Sequence, residues 1–526
     1  MSPWQRPLSG PSRAEASWAL LGALVLSFVV YAWHIRNGGW YLDDWELIYL
    51  MGEAREADGP LGAIAEMAGV NHRPGNGVVY PSLWFLGGDG QAPYNLGGAL
   101  LAALSGALLH LALRSAGVVR WVAAAVGAGY VALPVVDSAR LWFAAYVNSA
   151  SVILALAGLL LACSGLRRTG RAAVLLHAGA LFMYAWATLT YELVAGMIGL
   201  FAISYAVVGG WRAALRRWPA DLLVVGAVLA FMAARQVRGA NTSLGFLLDR
   251  AGQFPGPAWD VFSSLLPFEG VVVGPVGAVL VVAGAVGVGM LLAADATQAS
   301  IIRHWTVLGI TGGLFAVAGW ALLLPADAYF VPRLTGMGNR VTIVAGPGLL
   351  LLLVALLALT TLGLAALARR VRFAWPVAVI ALAVVLVGFL RTERDNQRPY
   401  VEAWTQQQRV LAALKASVGP PAPGTRYVTF RHPTLLLPAD VSVFYYPWDL
   451  QGAVRYVWDD GSLIAHPYIG RGTCTAVGWD PQNDFGSPVM RYGELYFVDT
   501  AAYEAFRIRD QRTCRLRART LGAATS

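Results

Sequence analysis

The chain has 526 residues, of which 57% are hydrophobic and only 13% are charged. A soluble protein usually carries nearly twice that share of charge, so the composition argues against a soluble globular protein. The net charge of +9 comes from arginines in short segments between apolar runs, which argues against a nucleic-acid-binding surface.

Apolar runs of roughly twenty residues, long enough to cross a bilayer, recur along about three quarters of the chain. A backbone in lipid must satisfy its own hydrogen bonds, so these runs predict helices. The first run is too long for a secretory signal and ends in Trp33, His34 and Ile35, where a cleavage site needs small residues. We therefore expect a polytopic all-α membrane protein with about eleven spans, near residues 17–35, 93–113, 119–136, 146–163, 172–190, 192–209, 219–235, 270–292, 304–325, 340–364 and 373–391.

The loops between these spans fall into an arginine-rich set and an acidic set. Loops rich in arginine face the cytoplasm, so this asymmetry predicts a cytoplasmic N-terminus and an extracytoplasmic C-terminal part. Ala, Gly and Arg are abundant and Lys415 is the only lysine, a bias typical of GC-rich bacterial genomes. The expected location is the bacterial cytoplasmic (inner) membrane.

Two extracytoplasmic parts are predicted to be large. Residues 36–92, the first outer loop, contain amphipathic segments typical of helices that lie along a membrane interface. After residue 391 a polar helix is expected to leave the membrane, followed by the β-like runs "RYVTFRH", "VSVFYYPW" and "ELYFVDT". We therefore predict a transmembrane domain over 1–391 and a small α+β domain over 392–526. Cys474 and Cys514 both lie in that outer domain and are expected to form a disulfide.

The stretch "NGGWYLDDWELIYLM" places Asp43 and Asp44 just beyond the first span. Asp43 could simply cap the next helix, with Glu46 as its capping-box partner. However, other polar and aromatic residues are expected on the same outer face as Asp43. We therefore treat the region as a candidate site and not only as a helix cap. The candidate substrate-binding residues are Trp40, Tyr41, Trp45, His72, Arg73, Arg140, Arg333 and Arg340, and Glu192 is a third candidate catalytic acid.

These residue types fit one chemistry. Arginine binds phosphate through two parallel hydrogen bonds, and a carboxylate can take a proton from an attacking hydroxyl. Trp and Tyr offer flat faces to sugars, although they also anchor proteins at membrane interfaces. Glu192 has a loop of only a residue or two around it, so it lies near the hydrocarbon edge, where an acid is functional or paired with an arginine. A divalent metal at the Asp43–Asp44 pair is compatible with the sequence.

The chain resembles the GT-C superfamily of integral-membrane glycosyltransferases, in the bacterial branch related to protein O-mannosyltransferases and transmembrane TPR-type mannosyltransferases. "YLDDW" stands where that family has its acidic first-loop motif, and "HRPGNGVVYPSLWFLGGDGQAPYNLGGALLAALSGALLHLALR" is similar to its next segment. "LTYELVAGMIGL" places Glu192 on the family's glutamate, and "GNRVTIVAGPGLLLLL" places Arg340 on its arginine. No TPR repeats follow, and the C-terminal domain is of another kind.

The resemblance implies transfer of a sugar from a polyprenyl-phosphate donor to a glycan, lipid or protein acceptor. Asp43 would be the base. Asp44 would orient a loop arginine or take part in binding a metal, and Glu192 would orient the donor or an arginine. A transporter or flippase of lipid-linked sugars could use the same arginines to bind phosphate. A non-catalytic relative that binds glycan is the third alternative.

Overall fold

The computed structural model describes residues 10–87, 90–235, 243–266, 296–326, 330–367, 374–482 and 486–523. Most of these residues are helical. In chain order the helices are α1 Arg13–Asn37, α2 Asp43–Gly69, α3 Asn76–Gly87, α4 Gln91–Ser115, α5 Arg120–Val131, α6 Ser138–Leu141, α7 Tyr146–Leu166, α8 Gly170–Thr190, α9 Val194–Gly199, α10 Phe201–Gly209, α11 Trp211–Arg235, α12 Leu244–Gln253, α13 Pro255–Ser264, α14 Ala296–Ala321, α15 Gly346–Leu367, α16 Ala374–Val418, α17 Pro447–Trp458 and α18 Gln511–Thr520.

Within the described ranges, eight helices are long and apolar enough to cross a membrane. They correspond to eight of the predicted spans and contain α1, α4, α7, α8, α11, α14, α15 and α16. The expectation of a polytopic helical membrane protein with a small sheet-containing C-terminal part is confirmed.

The other three predicted spans differ from a single long helix. Residues 119–136 contain α5, whose 12 residues span about 18 Å, because Pro134 cannot continue an α-helix and restricts the residue before it. Residues 192–209 contain two short helices, α9 and α10, which meet at Leu200. The predicted span 270–292 lies outside the described residues.

Long-range contacts define two ends of the helix bundle. At one end, Glu15 on α1 forms ion pairs with Arg114 and Arg120, and Arg167 donates a 2.6 Å hydrogen bond to the carbonyl of Ser115. We call this the Glu15 end. The Asp43–Asp44 pair follows the other terminus of α1, at what we call the Asp43 end. The structure thus separates these arginine-bearing loops from the acidic pair, and which end faces the cytoplasm stays a prediction.

The first outer loop is mostly helical. It contains α2, a 3₁₀ turn over Val70–His72, and α3. The α2 helix is interrupted at Gly59, whose φ of 72° is a left-handed conformation, and at the following Pro60. Glycine adopts positive φ without steric cost, so this dipeptide redirects the chain between two helical segments.

The long helix α16 links the membrane-spanning part to the C-terminal part. It has 45 residues, about 68 Å, more than twice the thickness of a bilayer core. It runs without interruption through the predicted domain boundary at 391–392. Its polar half packs beside the start of the chain, where Gln397 donates to the carbonyl of Val30 and Trp45 donates to Gln407.

The strands of the C-terminal part are β1 Arg426–Phe430, β2 Leu435–Leu436, β3 Val441–Ser442, β4 Ile464–Pro467, β5 Thr473–Cys474, β6 Gly478–Asp480, β7 Met490–Arg491, β8 Leu495–Asp499 and β9 Glu504–Ile508. Four of them form a mixed sheet in the order β4-β1-β8-β9. Strand β1 is parallel to β4 and β8, and β9 pairs antiparallel with β8. Two of the predicted β-like runs form β1 and β8, but "VSVFYYPW" contributes only two strand residues because the chain turns into α17 at Pro447.

A disulfide joins Cys474 to Cys514, with their Cα atoms 5.9 Å apart. It ties β5 to α18. Cys163, in α7, is a buried free cysteine.

Candidate active site at the Asp43 end

A tight turn presents the acidic pair. The amide of Asp44 donates a 3.0 Å hydrogen bond to the carbonyl of Tyr41, and Leu42 between them has φ 53° and ψ −118°. These angles belong to the first central position of a type II′ turn, which normally holds glycine. A buried leucine in such a conformation costs about 1–3 kcal/mol, and strain of this kind concentrates at functional sites.

Asp43 is the first residue of α2 and remains partly exposed. Its Oδ1 accepts a 2.7 Å hydrogen bond from the indole Nε1 of Trp448 on α17. The N-cap of α2 is Leu42, with no side-chain capping bond, so the simple capping role for Asp43 has no support in the structure. Burial raises the pKa of Asp43, while the Trp448 hydrogen bond and the charge of Arg340 act against that rise. A raised pKa makes a carboxylate a stronger base.

Asp44 is fully buried and fixes the backbone around the site. Its two oxygens accept hydrogen bonds from the amides of Tyr41, at 2.8 Å, and Ala144, at 2.7 Å. The sequence predicted instead that Asp44 orients an arginine or binds a metal. Each Asp44 oxygen thus already accepts one backbone hydrogen bond. Among the described residues, no three His, Cys, Asp or Glu side chains cluster as a metal site.

The positive charge of Arg340 acts to lower the pKa of Asp43. Arg340 lies in a 3₁₀ segment, Met337–Ile343, and donates a 2.5 Å hydrogen bond to the carbonyl of Met337. Its guanidinium lies 4.8 Å from the ring centroid of Trp142. In the part of the chain that the structure describes, no carboxylate lies within ion-pair distance of Arg340. It also contacts the hydroxyl of Tyr191, and within the described residues its charge is not cancelled by a paired acid.

Arg73 and Glu192 form a bidentate ion pair, with Nε–Oε2 and Nη2–Oε1 distances of 2.9 and 2.5 Å. The Arg73 guanidinium also lies 4.8 Å from the ring centroid of Tyr191. Burial acts to raise the pKa of Glu192, but the charge and hydrogen bonds of Arg73 outweigh it, so the pKa is lowered. A carboxylate with a lowered pKa is a weak base. This geometry matches a Glu192 that orients an arginine.

The remaining polar candidates are not gathered around Asp43. Arg140 is 1% exposed and donates to the hydroxyls of Ser105 and Ser149, so it is a buried structural arginine. Arg333 forms an ion pair with Asp440 of the C-terminal part at 3.2 Å. The side chain of His72 is exposed, and its φ is 56°.

The three aromatic candidates are all buried. Tyr41 packs inward, with its ring centroid 5.2 Å from that of Tyr400, and its hydroxyl accepts from the amide of Gly39. This places Tyr41 in the core. Trp40 and Trp45 are in edge-to-face contact at 4.9 Å and line a small cavity beside α16 and α17.

Three aromatic residues of the site were not predicted from the sequence. Trp448 binds Asp43, although 405 positions separate the two residues. Tyr191 lies between Arg73 and Arg340 and interacts with both. The hydroxyl of Tyr80 donates to the carbonyl of Ala144, whose amide binds Asp44. Tyr191 stands next to Glu192 in the sequence, and Tyr80 follows Arg73 by seven positions, whereas no local pattern marks Trp448.

The chain is similar to several solved structures, including the following two. The crystal structure of ArnT from Cupriavidus metallidurans in the apo state aligns over 86% of both chains, with 12% identity and a TM-score of 0.43. The crystal structure of the Archaeoglobus fulgidus oligosaccharyltransferase tethered with an acceptor peptide aligns over 87% of this chain and 64% of that chain, with 12% identity and a TM-score of 0.42. No family model and no curated protein matches the chain. At these values the likeness is distant and assigns no role to any residue.

Proposed function

We propose that the protein is a membrane glycosyltransferase of the GT-C type. It transfers a sugar from a polyprenyl-phosphate donor to an acceptor hydroxyl at the extracytoplasmic face, with Asp43 as the base. The observation that carries this proposal is a partly exposed carboxylate, Asp43, whose pKa the charge of Arg340 acts to lower, together with the lack of any ion-paired carboxylate at Arg340 among the described residues. Transfer from a phosphate leaving group needs a base and an anion-binding group, and these two residues supply them.

The reaction assigns one task to each group. The Asp43 carboxylate accepts the proton of the acceptor hydroxyl as that oxygen bonds to the anomeric carbon of the donor. The bond from the anomeric carbon to the phosphate oxygen breaks, and the electron pair leaves with the phosphate. If the anomeric centre is inverted, as the sequence resemblance implies, one carboxylate is enough, because phosphate is already a good leaving group.

Arg340 stabilises the charge that develops on the departing phosphate. Hydrogen bonds from a fixed guanidinium to an anion are stronger than neutral ones, and Trp142 beside it limits its movement. Arg73, held by Glu192 and Tyr191, adds a second positive group with a fixed orientation. Asp44 accepts hydrogen bonds from the turn before Asp43 and from Ala144, and so holds these two segments together. This contact keeps Asp43 and Arg340 in fixed positions relative to each other.

The test is incubation of the purified full-length protein with radiolabelled polyprenyl-phosphate sugars and a crude membrane acceptor fraction. Appearance of label in the acceptor supports the proposal. The matched variants are Arg340→Gln, which removes the charge that acts on Asp43, and Arg120→Gln, which removes an exposed arginine at the Glu15 end. At subsaturating donor, transfer should fall strongly in the first and be unchanged in the second.

The alternatives predict different outcomes. A transporter or flippase would move the intact lipid-linked sugar between the leaflets of proteoliposomes without cleaving it. A non-catalytic glycan-binding relative would neither transfer nor move the donor. Release of free sugar without an acceptor product would show donor cleavage by water, and it would contradict the acceptor role of the site.

A further inference from the structure

A second feature of this end lies towards the C-terminal end of α17. It is a cavity of about 300 Å³ between α2, the polar half of α16 and α17. We call it the tryptophan cavity, because its lining includes Trp40, Trp45 and Trp404 together with Tyr456. Gln91, Gln408 and Lys415 add polar groups to the same lining.

The aromatic side chains form a fixed scaffold. Trp45 and Trp404 are stacked, with ring centroids 5.7 Å apart and planes at 23°. Trp40 meets Tyr456 edge to face at 5.2 Å. Gly39 makes the arrangement possible, because a Cβ at that position would overlap the ring of Trp404. Trp404 and Tyr456 are only half-buried, so part of each remains in contact with the open cavity.

The polar groups of the cavity are suited to hydroxyls. Gln408 and Lys415 lie on exposed faces of α16, and an amide can both donate and accept hydrogen bonds. The buried indole N–H of Trp40 has no hydrogen-bond partner among the described residues. Buried donors in proteins are nearly always paired, so this one is an exception in the wall of the cavity.

The cavity and the Trp448–Asp43 contact lie at different positions along α17. Helix α17 crosses the first turn of α2 at Gly452, where a Cβ would lie 2.5 Å from the backbone nitrogen of Glu46. On one side of this crossing Trp448 binds Asp43, and on the other side Tyr456 lines the cavity. Eight residues separate Trp448 from Tyr456, about 12 Å along the helix. Asp43 itself does not line the cavity, whereas Trp45, two residues further along the chain, does.

We propose that the tryptophan cavity is a secondary carbohydrate-binding site that holds a distal sugar unit of an oligomeric or polymeric glycan. Flat aromatic faces with polar tips pack against the C–H faces of a sugar ring, and the amides bind its hydroxyls. The volume is at the small end for ligand pockets, which suits one or two rings. That this glycan is the acceptor rests on the proposed function, whereas the binding itself does not.

The experiment is affinity electrophoresis of the detergent-solubilised full chain through native gels that contain dextran, mannan or galactan. At least one polysaccharide should slow the wild-type chain, and should slow Asp43→Asn equally, since that residue lies outside the cavity. Gln408→Ala should weaken the interaction about two- to tenfold, the cost of one lost hydrogen-bonding group. Trp404→Phe, which keeps an aromatic ring, should weaken it as well.

Gln406→Ala is the matched control, because Gln406 lies on the same helix, bonds to Glu402 and does not line the cavity. This variant should bind like the wild type. The proposal is overturned if none of the three polysaccharides slows the wild type, or if Gln408→Ala and Trp404→Phe bind unchanged. The proposal is also overturned if a peptide, and not a free glycan, displaces the chain from the polysaccharide in the gel. Binding without any transferase activity would retain this site and contradict the proposed function instead.

Discussion

Arg340 differs from the other candidate arginines in having no carboxylate partner in the described structure. Arg73 is paired with Glu192 and Arg333 with Asp440, and Arg140 is buried among serines. Four arginines with equal standing in the sequence therefore have unequal capacity to bind a phosphate. Arg340 is the one whose charge also acts on Asp43.

The substitution Arg340→Gln should change both donor affinity and the pH dependence of transfer. Loss of charge-assisted hydrogen bonds should weaken donor binding about ten- to hundredfold. Asp43 acts as a base only when ionised, so activity falls as the pH drops through its pKa. The Arg340 charge lowers that pKa, so its removal should move the acidic limb of kcat to higher pH. The measurement is a kcat–pH profile at saturating donor, and an unchanged acidic limb would contradict the placement of Arg340.

At this scale the sequence predicted residue types better than their partners. The predicted position of Asp43 just after the first span agrees with the structure, in which α1 ends at Asn37 and α2 begins at Asp43. The contacts of Arg73 and Arg333 could not be read from spacing, because their partners lie 119 and 107 positions away. The burial of Tyr41 and Arg140 depends on which helices pack together, which local patterns do not encode. The roles of all these residues in transfer stay predictions.

At the scale of elements, α17 connects the C-terminal part to the reaction. Its Trp448 donates to Asp43, and its Arg455 lies 3.6 Å from Glu46 one turn further along α2. The C-terminal part therefore contributes a direct contact to Asp43, the proposed base.

Trp448→Phe should reduce kcat about two- to tenfold, because one hydrogen bond to the base is lost while an aromatic ring remains to stack on Tyr446. That hydrogen bond lowers the pKa of Asp43, so the acidic limb should again move to higher pH. Trp458→Phe, on the same helix but stacked on Tyr427, is the control. Equal effects of the two substitutions would show that Trp448 acts only through the packing of α17.

The Arg73–Glu192 pair joins the loop before α3 to the loop after α8. Its side chains are 23% and 26% exposed, so solvent screens it only in part. Glu192→Gln should lower the free energy of unfolding by about 1.5–3 kcal/mol, measured by chemical denaturation in detergent. Glu66→Gln, at an exposed position on α2, should change it little. A hundredfold loss of kcat at saturating donor in Glu192→Gln would instead assign Glu192 a chemical role.

At the scale of the whole molecule, the apolar runs were sufficient to predict a polytopic helical protein. They were less successful where a break intervenes, as at Pro134 and Leu200, because an average over an apolar run does not detect a helix end. The boundary at 391 marked a change of composition, whereas the helix continues to residue 418. The change in composition and the end of the helix therefore fall at different positions along this chain.

The direction of insertion is a prediction of the arginine asymmetry. Alkaline phosphatase fused after residue 526 should be active, since that enzyme needs an oxidising compartment, and green fluorescent protein at the same site should stay dark in an exported fusion. The reverse pattern would place the Asp43 end in the cytoplasm. The donor would then have to be bound on the opposite face of the membrane.

We propose that Asp43 is the base of a sugar transfer. The comparison of Asp43→Asn with Asp44→Asn is the sharpest test of that role. Single-turnover transfer from labelled polyprenyl-phosphate sugar would be measured beside equilibrium donor binding. Asp43→Asn should insert and bind donor as the wild type does but transfer about a hundred- to ten-thousandfold more slowly. Asp44→Asn should lose stability, because its backbone contacts hold the turn. Near-normal transfer by Asp43→Asn would contradict the account.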